Sequence, residues 1–148
     1  MYLIFDCETT GFPKNWNSPI TDFENWPRVV QLAWQIHDVS GKLLEVKNFI
    51  IKPDGYSIPY NSQEIHGIST ERAKKDGISL SKVLDEFTDD LKNISFLIGH
   101  NVSFDNSIVG CELLRMEIPN ILADFPAIDT KNEATNYCAI PGGRGGRF

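Results

Sequence analysis

The sequence predicts an α/β fold, a three-layer α/β/α arrangement in which helices cover both faces of a mixed five-stranded sheet. Segments with apolar residues at every second position alternate with segments of helical spacing, in the order β-β-β-α-β-α-β-α. A length of 148 residues, of which 41% are hydrophobic, suits one domain with a packed core.

The first predicted strand leads into a long loop. Residues 2–5 are an apolar run that ends at acidic residues, which is typical of a central strand buried on both faces. Residues 11–27 then contain three prolines and the tryptophans Trp16 and Trp26, a composition typical of a long ordered loop. We expect both tryptophans to anchor this loop to the core, with stacking on nucleic-acid bases as the alternative.

A hairpin of two long strands follows the loop. The first strand begins near residue 29 and has four alternating apolar side chains that should share one face: Val30, Leu32, Trp34 and Ile36. The second strand covers residues 43–51, after a turn at residues 39–42.

The rest of the sequence predicts helices that alternate with short strands. Helices are expected over about residues 71–75, 80–94, 104–118 and 131–139, and strands over 95–98 and 127–130. Ser79 is placed to act as the N-cap of the long amphipathic helix that begins at Leu80. The glycine-rich residues 141–148 should form a loop.

Composition excludes several classes of function. The net charge of -6 argues against a basic nucleic-acid surface, so a site for phosphates needs another source of positive charge. The three cysteines lack the spacing of a zinc site. The N-terminus has no basic region, and no apolar run approaches the roughly 18 residues of a membrane span. We therefore expect a cytoplasmic protein with no membrane partner.

Two carboxylates stand together at the end of the first strand. Asp6 and Glu8 are two residues apart, so a strand places both on one face, with Cα atoms about 6.5 Å apart, while Cys7 faces the other way. Their mutual repulsion and loss of hydration favour a bound divalent cation, and oxygen ligands favour Mg²⁺ or Mn²⁺ over zinc. A solvated acidic strand end is the structural alternative.

A third carboxylate belongs to a distant part of the chain. Asp105 falls in the first turn of the helix predicted after the strand at residues 95–98, where it can point at the carboxyl edge of the sheet. Three converging carboxylates would repel one another without a metal ion or a proton. The arrangement therefore indicates a metal site with Asp6 and Glu8.

These residues occur in motifs that resemble a known family. The sequence FDCETTG at residues 5–11 is similar to the first motif of the DEDD superfamily of DnaQ-like 3'-5' exonucleases, which have a ribonuclease H-like fold. HNVSFD at residues 100–105 resembles the second motif, and DT at residues 129–130 resembles the strand and helix start that follow it. EIHGIS at residues 64–69 is similar to the loop before the second motif. The resemblance covers nearly the whole chain.

The resemblance implies two-metal hydrolysis of the phosphodiester at the 3' end of single-stranded DNA or RNA. Asp6, Glu8 and Asp105 would help to hold two Mg²⁺ or Mn²⁺ ions and would be the catalytic residues. Thr9 would meet the terminal nucleotide, with capping of the turn as the alternative. His66 and Ile68 would wedge or stack at the terminal bases, with a structural role as the alternative. Polymerase proofreading, with a DNA polymerase as partner, is the implied setting.

One family motif has no counterpart in the sequence. In that third motif a histidine acts as general base and an aspartate is the fourth metal ligand. We therefore expect residues 1–148 to be a single exonuclease domain that lacks its C-terminal catalytic segment, and to be nearly inactive.

Two other functions remain open at this point. A catalytically incomplete module of the same fold would bind nucleic acid without cleaving it. A haloacid dehalogenase-like phosphohydrolase shares an acidic pair followed by threonine after an apolar strand. That class needs an aspartate where Glu8 stands, together with a downstream lysine and a G-D-x-x-x-D tract, and the sequence has neither.

Overall fold

The structure, a computed structural model, describes residues 1–139 apart from the side chain of Asn136. The strands are β1 (Tyr2–Thr9), β2 (Val29–His37), β3 (Leu43–Ile50), β4 (Phe96–Gly99) and β5 (Ala127–Asp129). The α-helices are α1 (Tyr60–His66), α2 (Thr70–Asp76), α3 (Leu80–Leu91), α4 (Val102–Arg115) and α5 (Thr130–Cys138). A 3-10 helix, Ile121–Asp124, precedes β5. The loop predicted at residues 141–148 lies outside the described residues.

The strands form one mixed sheet in the order β3-β2-β1-β4-β5, with β1 in the centre as predicted. β1 is antiparallel to β2 and parallel to β4, and β4 is parallel to β5. The predicted α/β class and five-stranded mixed sheet are confirmed. Because β1, β4 and β5 are parallel, their carboxyl ends lie at one edge, and the residues that follow each strand are brought together there.

The main hydrophobic core lies between one face of the sheet and helices α3 and α4. Leu3 and Phe5 of β1 belong to the same buried cluster as Phe87 of α3 and Ile108 of α4, and none of the four is more than 2% exposed. Burying a side chain of this size contributes about 1.5–3 kcal/mol to folding. This packing fixes the position of α4 beneath β1.

The second face of the sheet is covered mainly at one end. A small separate cluster there contains Val30, Ile58, Ile68 and Ala73, so the segment that includes α2 packs on this end. Elsewhere on this face Ile4 is only half-buried. The predicted burial of β1 on both faces is wrong, because its residues alternate between buried and partly exposed positions. In the described part of the chain, helices thus cover one face and one end of the other.

A β-bulge changes the face of one residue of β2. The register between β1 and β2 shifts where Thr9 pairs with Val29 and Glu8 pairs with Gln31, which leaves Val30 as the extra residue. Val30 therefore joins the small cluster. The prediction that Val30 shares a face with the other alternating apolar residues of β2 is wrong, since the bulge reverses the alternation at that point.

Two details of the helices differ from prediction. Residues 60–66 form α1, where only the helix at about residues 71–75 was expected, and α1 ends at Gly67 in the left-handed conformation, φ 75°. Ser79 is at the N-cap position of α3, but its side chain makes no capping hydrogen bond.

None of the helices within residues 1–139 is long and apolar enough to cross a membrane.

Candidate active site

Asp6 and Glu8 lie on one face of β1 near its carboxyl end, as predicted. They pair across to β2 opposite Ala33 and Gln31, whereas the pairing of β1 with β4 stops at Ile4. This end of β1 therefore has one edge free of strand pairing within the described sheet. The side chain of Cys7, between the two acids, is buried in the main core.

Both carboxyl groups have raised pKa values. Partial loss of hydration raises the pKa of Asp6, and the nearby His100 opposes this rise. Loss of hydration also raises the pKa of Glu8; the charge of Asp6 adds to the rise, and His66 opposes it. The two acids thus repel each other, and a cation between them would lower both pKa values.

Asp105 reaches the same end of β1 from the first turn of α4. It is 2% exposed, and its Oδ1 accepts hydrogen bonds from the backbone N–H of Cys7 at 3.0 Å and from the Cys7 thiol at 3.0 Å. Burial, together with the charge of Asp105, raises the pKa of the thiol well above its ordinary value, so the thiol keeps its proton and can donate it. Cys7 therefore orients Asp105, a role that sequence analysis missed.

Burial is the main cause that raises the pKa of Asp105 to about 6. The hydrogen bonds from Cys7 oppose the rise, and the charge of Asp6 adds to it. The charge of Asp6 acts on Asp105, so these two carboxylates lie near each other, and the predicted convergence of all three stays a prediction. Burial and the charge of Asp6 both make the ionised form of Asp105 unfavourable in the folded protein unless a cation is near.

The end of β5 fixes the turn that precedes α4. Asn101 has a left-handed conformation, φ 64°, and its backbone N–H donates to Oδ1 of Asp129 at 2.8 Å. The same Oδ1 accepts from the backbone N–H of Lys131 at 3.0 Å. The hydroxyl of Thr130 donates to the carbonyl of Gly99 at 3.1 Å. Asp129 and Thr130 thus hold the strand-to-helix turn that places Asp105.

The donor set at this edge fits a hard divalent cation in part. Asp6 and Glu8 offer carboxylate oxygens from one face of a strand, and Mg²⁺ typically takes one or two carboxylates and completes its shell with water and phosphate oxygens. Among residues 1–139, no three His, Cys, Asp or Glu side chains are grouped as a metal-ligand set. The hydrogen bonds of Asp105 to Cys7 give a reason, because they hold one of its oxygens on the side of β1 away from the two acids.

A small cavity of about 120 Å³ lies beside Glu8. Its walls include Glu8, Thr9, Phe12, His66 and Phe104. Typical ligand pockets have volumes of roughly 300–1,000 Å³, so this one can enclose only part of a nucleotide. The remainder of a bound strand would lie across the rim.

The residues predicted to touch substrate differ in accessibility. Thr9 is 9% exposed and its hydroxyl donates to the carbonyl of Gly11 at 2.6 Å, so it caps the turn after β1. His66 accepts from the backbone N–H of Ile68 through Nδ1 at 3.1 Å, which places the proton of a neutral ring on Nε2. Nε2 has no partner in the described residues. Ile68 is 2% exposed within the small cluster, so the predicted stacking of Ile68 on bases is not supported.

Sequence analysis missed a buried ion pair on α4. Glu112 is 0% exposed. Its Oε1 accepts hydrogen bonds from Arg28 Nε and from the backbone N–H of Val29, both at 2.9 Å. The same oxygen forms an ion pair with Arg115 at 3.2 Å. The sequence signal is weak, since it consists of one acidic residue within an otherwise apolar helical stretch. The bonds of Glu112 to Arg28 and Val29 connect the beginning of β2 to α4.

The structure thus has an α/β fold with the acidic side chains of Asp6 and Glu8 near the carboxyl end of its central strand. The chain belongs to the exonuclease family, because the family model RNase_T, described as Exonuclease, matches residues 3–136. This confirms the predicted family. The haloacid dehalogenase-like alternative is thereby not supported.

Relatives at the sequence level are bacterial polymerases. The DNA polymerase III PolC-type of Streptococcus pyogenes is 31% identical over 135 residues, and that of Streptococcus pneumoniae is 28% identical over the same length. These alignments cover 91% of this chain and 8% of each relative. The chain thus spans about a twelfth of the length of the curated relatives it matches.

Solved structures with the same fold include those of exonuclease I of E. coli. The metal-free complex of that enzyme with single-stranded DNA has a TM-score of 0.75 and 21% identity, covering 96% of this chain and 31% of the other. A complex with a dT13 oligonucleotide has a TM-score of 0.74 and 20% identity, covering 99% of this chain and 31% of the other. The predicted ribonuclease H-like fold is confirmed by this likeness.

Proposed function

We propose that the protein is a metal-dependent 3'-5' exonuclease that removes nucleotides from the 3' ends of single-stranded DNA. The observation that carries the proposal is the position of Asp6 and Glu8 on one face of the central strand, with buried Asp105 hydrogen-bonded to Cys7 between them, in a chain of the exonuclease family. The likeness to PolC-type polymerases supports action in proofreading, with a DNA polymerase as partner in the cytoplasm.

Asp6 and Glu8 are the proposed metal ligands. Partial loss of hydration is the main cause that raises their pKa values, and both lie on the accessible face of β1. Mg²⁺ or Mn²⁺, two ions in the reaction that we propose, would supply Lewis-acid activation of water and neutralise charge on the leaving oxygen. Asp105 is the third proposed catalytic carboxylate. Its Oδ1 is oriented by hydrogen bonds from Cys7, and the negative charge of Asp6 raises its pKa.

Thr9 and His66 are the proposed contacts to the terminal nucleotide. Both line the cavity beside Glu8, and Nε2 of His66 carries a donor that is free within residues 1–139 when the ring is neutral. A phosphate or sugar oxygen would accept from this group and satisfy it. A small cavity with a positioned donor can hold the end of a strand while the rest stays outside.

The test is hydrolysis of a 5'-labelled single-stranded oligonucleotide by excess protein with Mg²⁺ or Mn²⁺. The expected product is a ladder shortened from the 3' side, and Asp6→Asn should lower the rate at least 100-fold. Asp85→Asn, an exposed acid on α3, is the matched control and should leave the rate unchanged. Equal rates for Asp6→Asn and wild type would refute the assignment of the site. Binding of the oligonucleotide without cleavage would favour the non-catalytic module.

A further inference from the structure

The long loop between β1 and β2 is held rigidly near its middle. Asn25, 6% exposed, uses both ends of its amide on the backbone of Asn15: Oδ1 accepts from the Asn15 N–H at 2.7 Å, and Nδ2 donates to the Asn15 carbonyl at 3.0 Å. The backbone N–H of Lys14 also donates to the Asn25 carbonyl at 3.1 Å. The chain is therefore fixed on the N-terminal side of Trp16.

The same loop is fastened to the helix that carries Asp105. Nη2 of Arg115 donates to the carbonyls of Phe23 and Trp26, both at 2.7 Å. The indole N–H of Trp26 donates to the carbonyl of Pro19 at 3.0 Å, and the ring is 6% exposed. Trp26 thus anchors the loop, as predicted, and the position of the loop is tied to α4.

Trp16 does not anchor the loop to the core, contrary to prediction. It is 56% exposed, and its ring lies against two other aromatic rings, with centroids 5.6 Å from Phe104 and 6.0 Å from Phe12. Phe12 is itself 73% exposed, with its ring 6.1 Å from that of Phe104. A large apolar surface thus remains in water on a loop that has been made rigid.

This aromatic group adjoins the proposed active site. Phe104 precedes Asp105, and both Phe104 and Phe12 line the cavity beside Glu8. Trp16 packs on the two rings but is not part of the cavity wall, so it lies outside the space available to the terminal nucleotide. The exposed ring of Trp16 is therefore within reach of a strand whose end enters the cavity.

We propose that Trp16 stacks on one of the bases that precede the 3'-terminal nucleotide of a single strand and so favours single-stranded substrates. The proposal rests on the proposed function. A rigid, exposed indole binds a base with little loss of conformational freedom, and every base offers a face for stacking. The net charge of -6 leaves little basic surface to hold the strand by its phosphates, which makes stacking the more important.

The first experiment compares variants for binding of a 5'-fluorescein dT10 oligonucleotide in EDTA, measured by anisotropy. Trp16→Ala should bind about 5- to 100-fold more weakly, as expected for loss of one stacked base. Trp16→Tyr keeps an aromatic face and should bind within about threefold of wild type. Equal binding by Trp16→Ala and wild type would overturn the proposal, and so would equal losses in the alanine and tyrosine variants.

A second measurement separates stacking from a structural role of Trp16. Oligonucleotides with a single abasic residue at the second, third or fourth position from the 3' end are compared on wild type and Trp16→Ala. At one of these positions the abasic residue should weaken binding to the wild-type protein at least fivefold. The same oligonucleotide should bind Trp16→Ala as tightly as the intact oligonucleotide does. The same loss of affinity in both proteins would overturn stacking. In that case the variant without Trp16 would still depend on the missing base, as expected if the tryptophan has only a structural role.

The hydrolysis assay keeps the two proposals distinguishable. One outcome is that an abasic residue weakens binding to wild type but not to Trp16→Ala, while wild type cleaves nothing. This outcome would uphold stacking and refute the proposed catalysis. Cleavage that depends on Asp6, without that difference in binding, would uphold the proposed function and overturn the role of Trp16. Wild-type protein that binds none of the oligonucleotides would overturn stacking, while the cleavage assay decides the function separately.

Discussion

Replacing Asp105 with asparagine should stabilise the metal-free protein at neutral pH. The pKa of Asp105 is raised from 3.8 to about 6, chiefly by burial, so its ionised form is disfavoured in the folded state. This difference corresponds to about 3 kcal/mol of unfolding free energy at pH 8, as an upper bound. Asparagine has the same shape and keeps an acceptor for the N–H and thiol of Cys7, so the substitution removes the charge and little else.

The pH dependence follows from the direction of the shift. Between pH about 4 and 6 the folded protein binds more protons at Asp105 than the unfolded chain does, so the free energy of unfolding falls as pH rises through this range. Above pH 6 both states have lost the proton, and the contribution becomes constant. The advantage of Asp105→Asn should therefore be small at pH 4 and complete by pH 7–8.

Thermal unfolding in EDTA at pH 4, 6 and 8 tests this reasoning. For a chain of this length about 1 kcal/mol shifts Tm by roughly 2–4 °C, so Asp105→Asn should melt up to about 6–12 °C higher than wild type at pH 8. Asp85→Asn, on the exposed side of α3, should follow wild type at every pH. A lower Tm for Asp105→Asn at pH 8, or an advantage independent of pH, would refute the argument from buried charge.

Three further outcomes are expected. Mn²⁺ should bind weakly in isothermal titration and raise Tm in wild type, and Asp6→Ala should lose both effects; equal binding would remove Asp6 from the site. Glu112→Gln should lower the free energy of unfolding by about 2–4 kcal/mol in urea, because the substitution leaves the charges of Arg28 and Arg115 without their buried partner. The resemblance implies a third motif that we do not find in the 148 residues, so we expect these residues to shorten 3' ends slowly; rapid cleavage would show that the general base is already present.

The positions of the acidic residues could be predicted because they depend on local periodicity. The period of two fixes Asp6 and Glu8 on one face of a strand whatever the strand packs against. The first turn of a helix after a strand places Asp105 at the same edge in any parallel arrangement. The central position of β1 likewise followed from its apolar run.

The remaining features depend on contacts between distant segments, which periodicity does not encode. The bulge at Val30 arises from the pairing of β1 with β2, and the hydrogen bonds from Cys7 to Asp105 join residues 98 positions apart. α1 buries only Ser62, so its sequence has no apolar stripe to reveal a helix. The exposure of Trp16 depends on how the loop is tied to α4.

Helix α4 joins the proposed catalytic acid and the loop anchor in one rigid body. Asp105 and Arg115, which holds the loop, are ten residues apart, about 15 Å along the helix axis. A displacement of α4 from the sheet would break the hydrogen bond of Asp105 to Cys7 together with those of Arg115 to the loop. Amide exchange in α4 and in the loop should therefore report the same opening event.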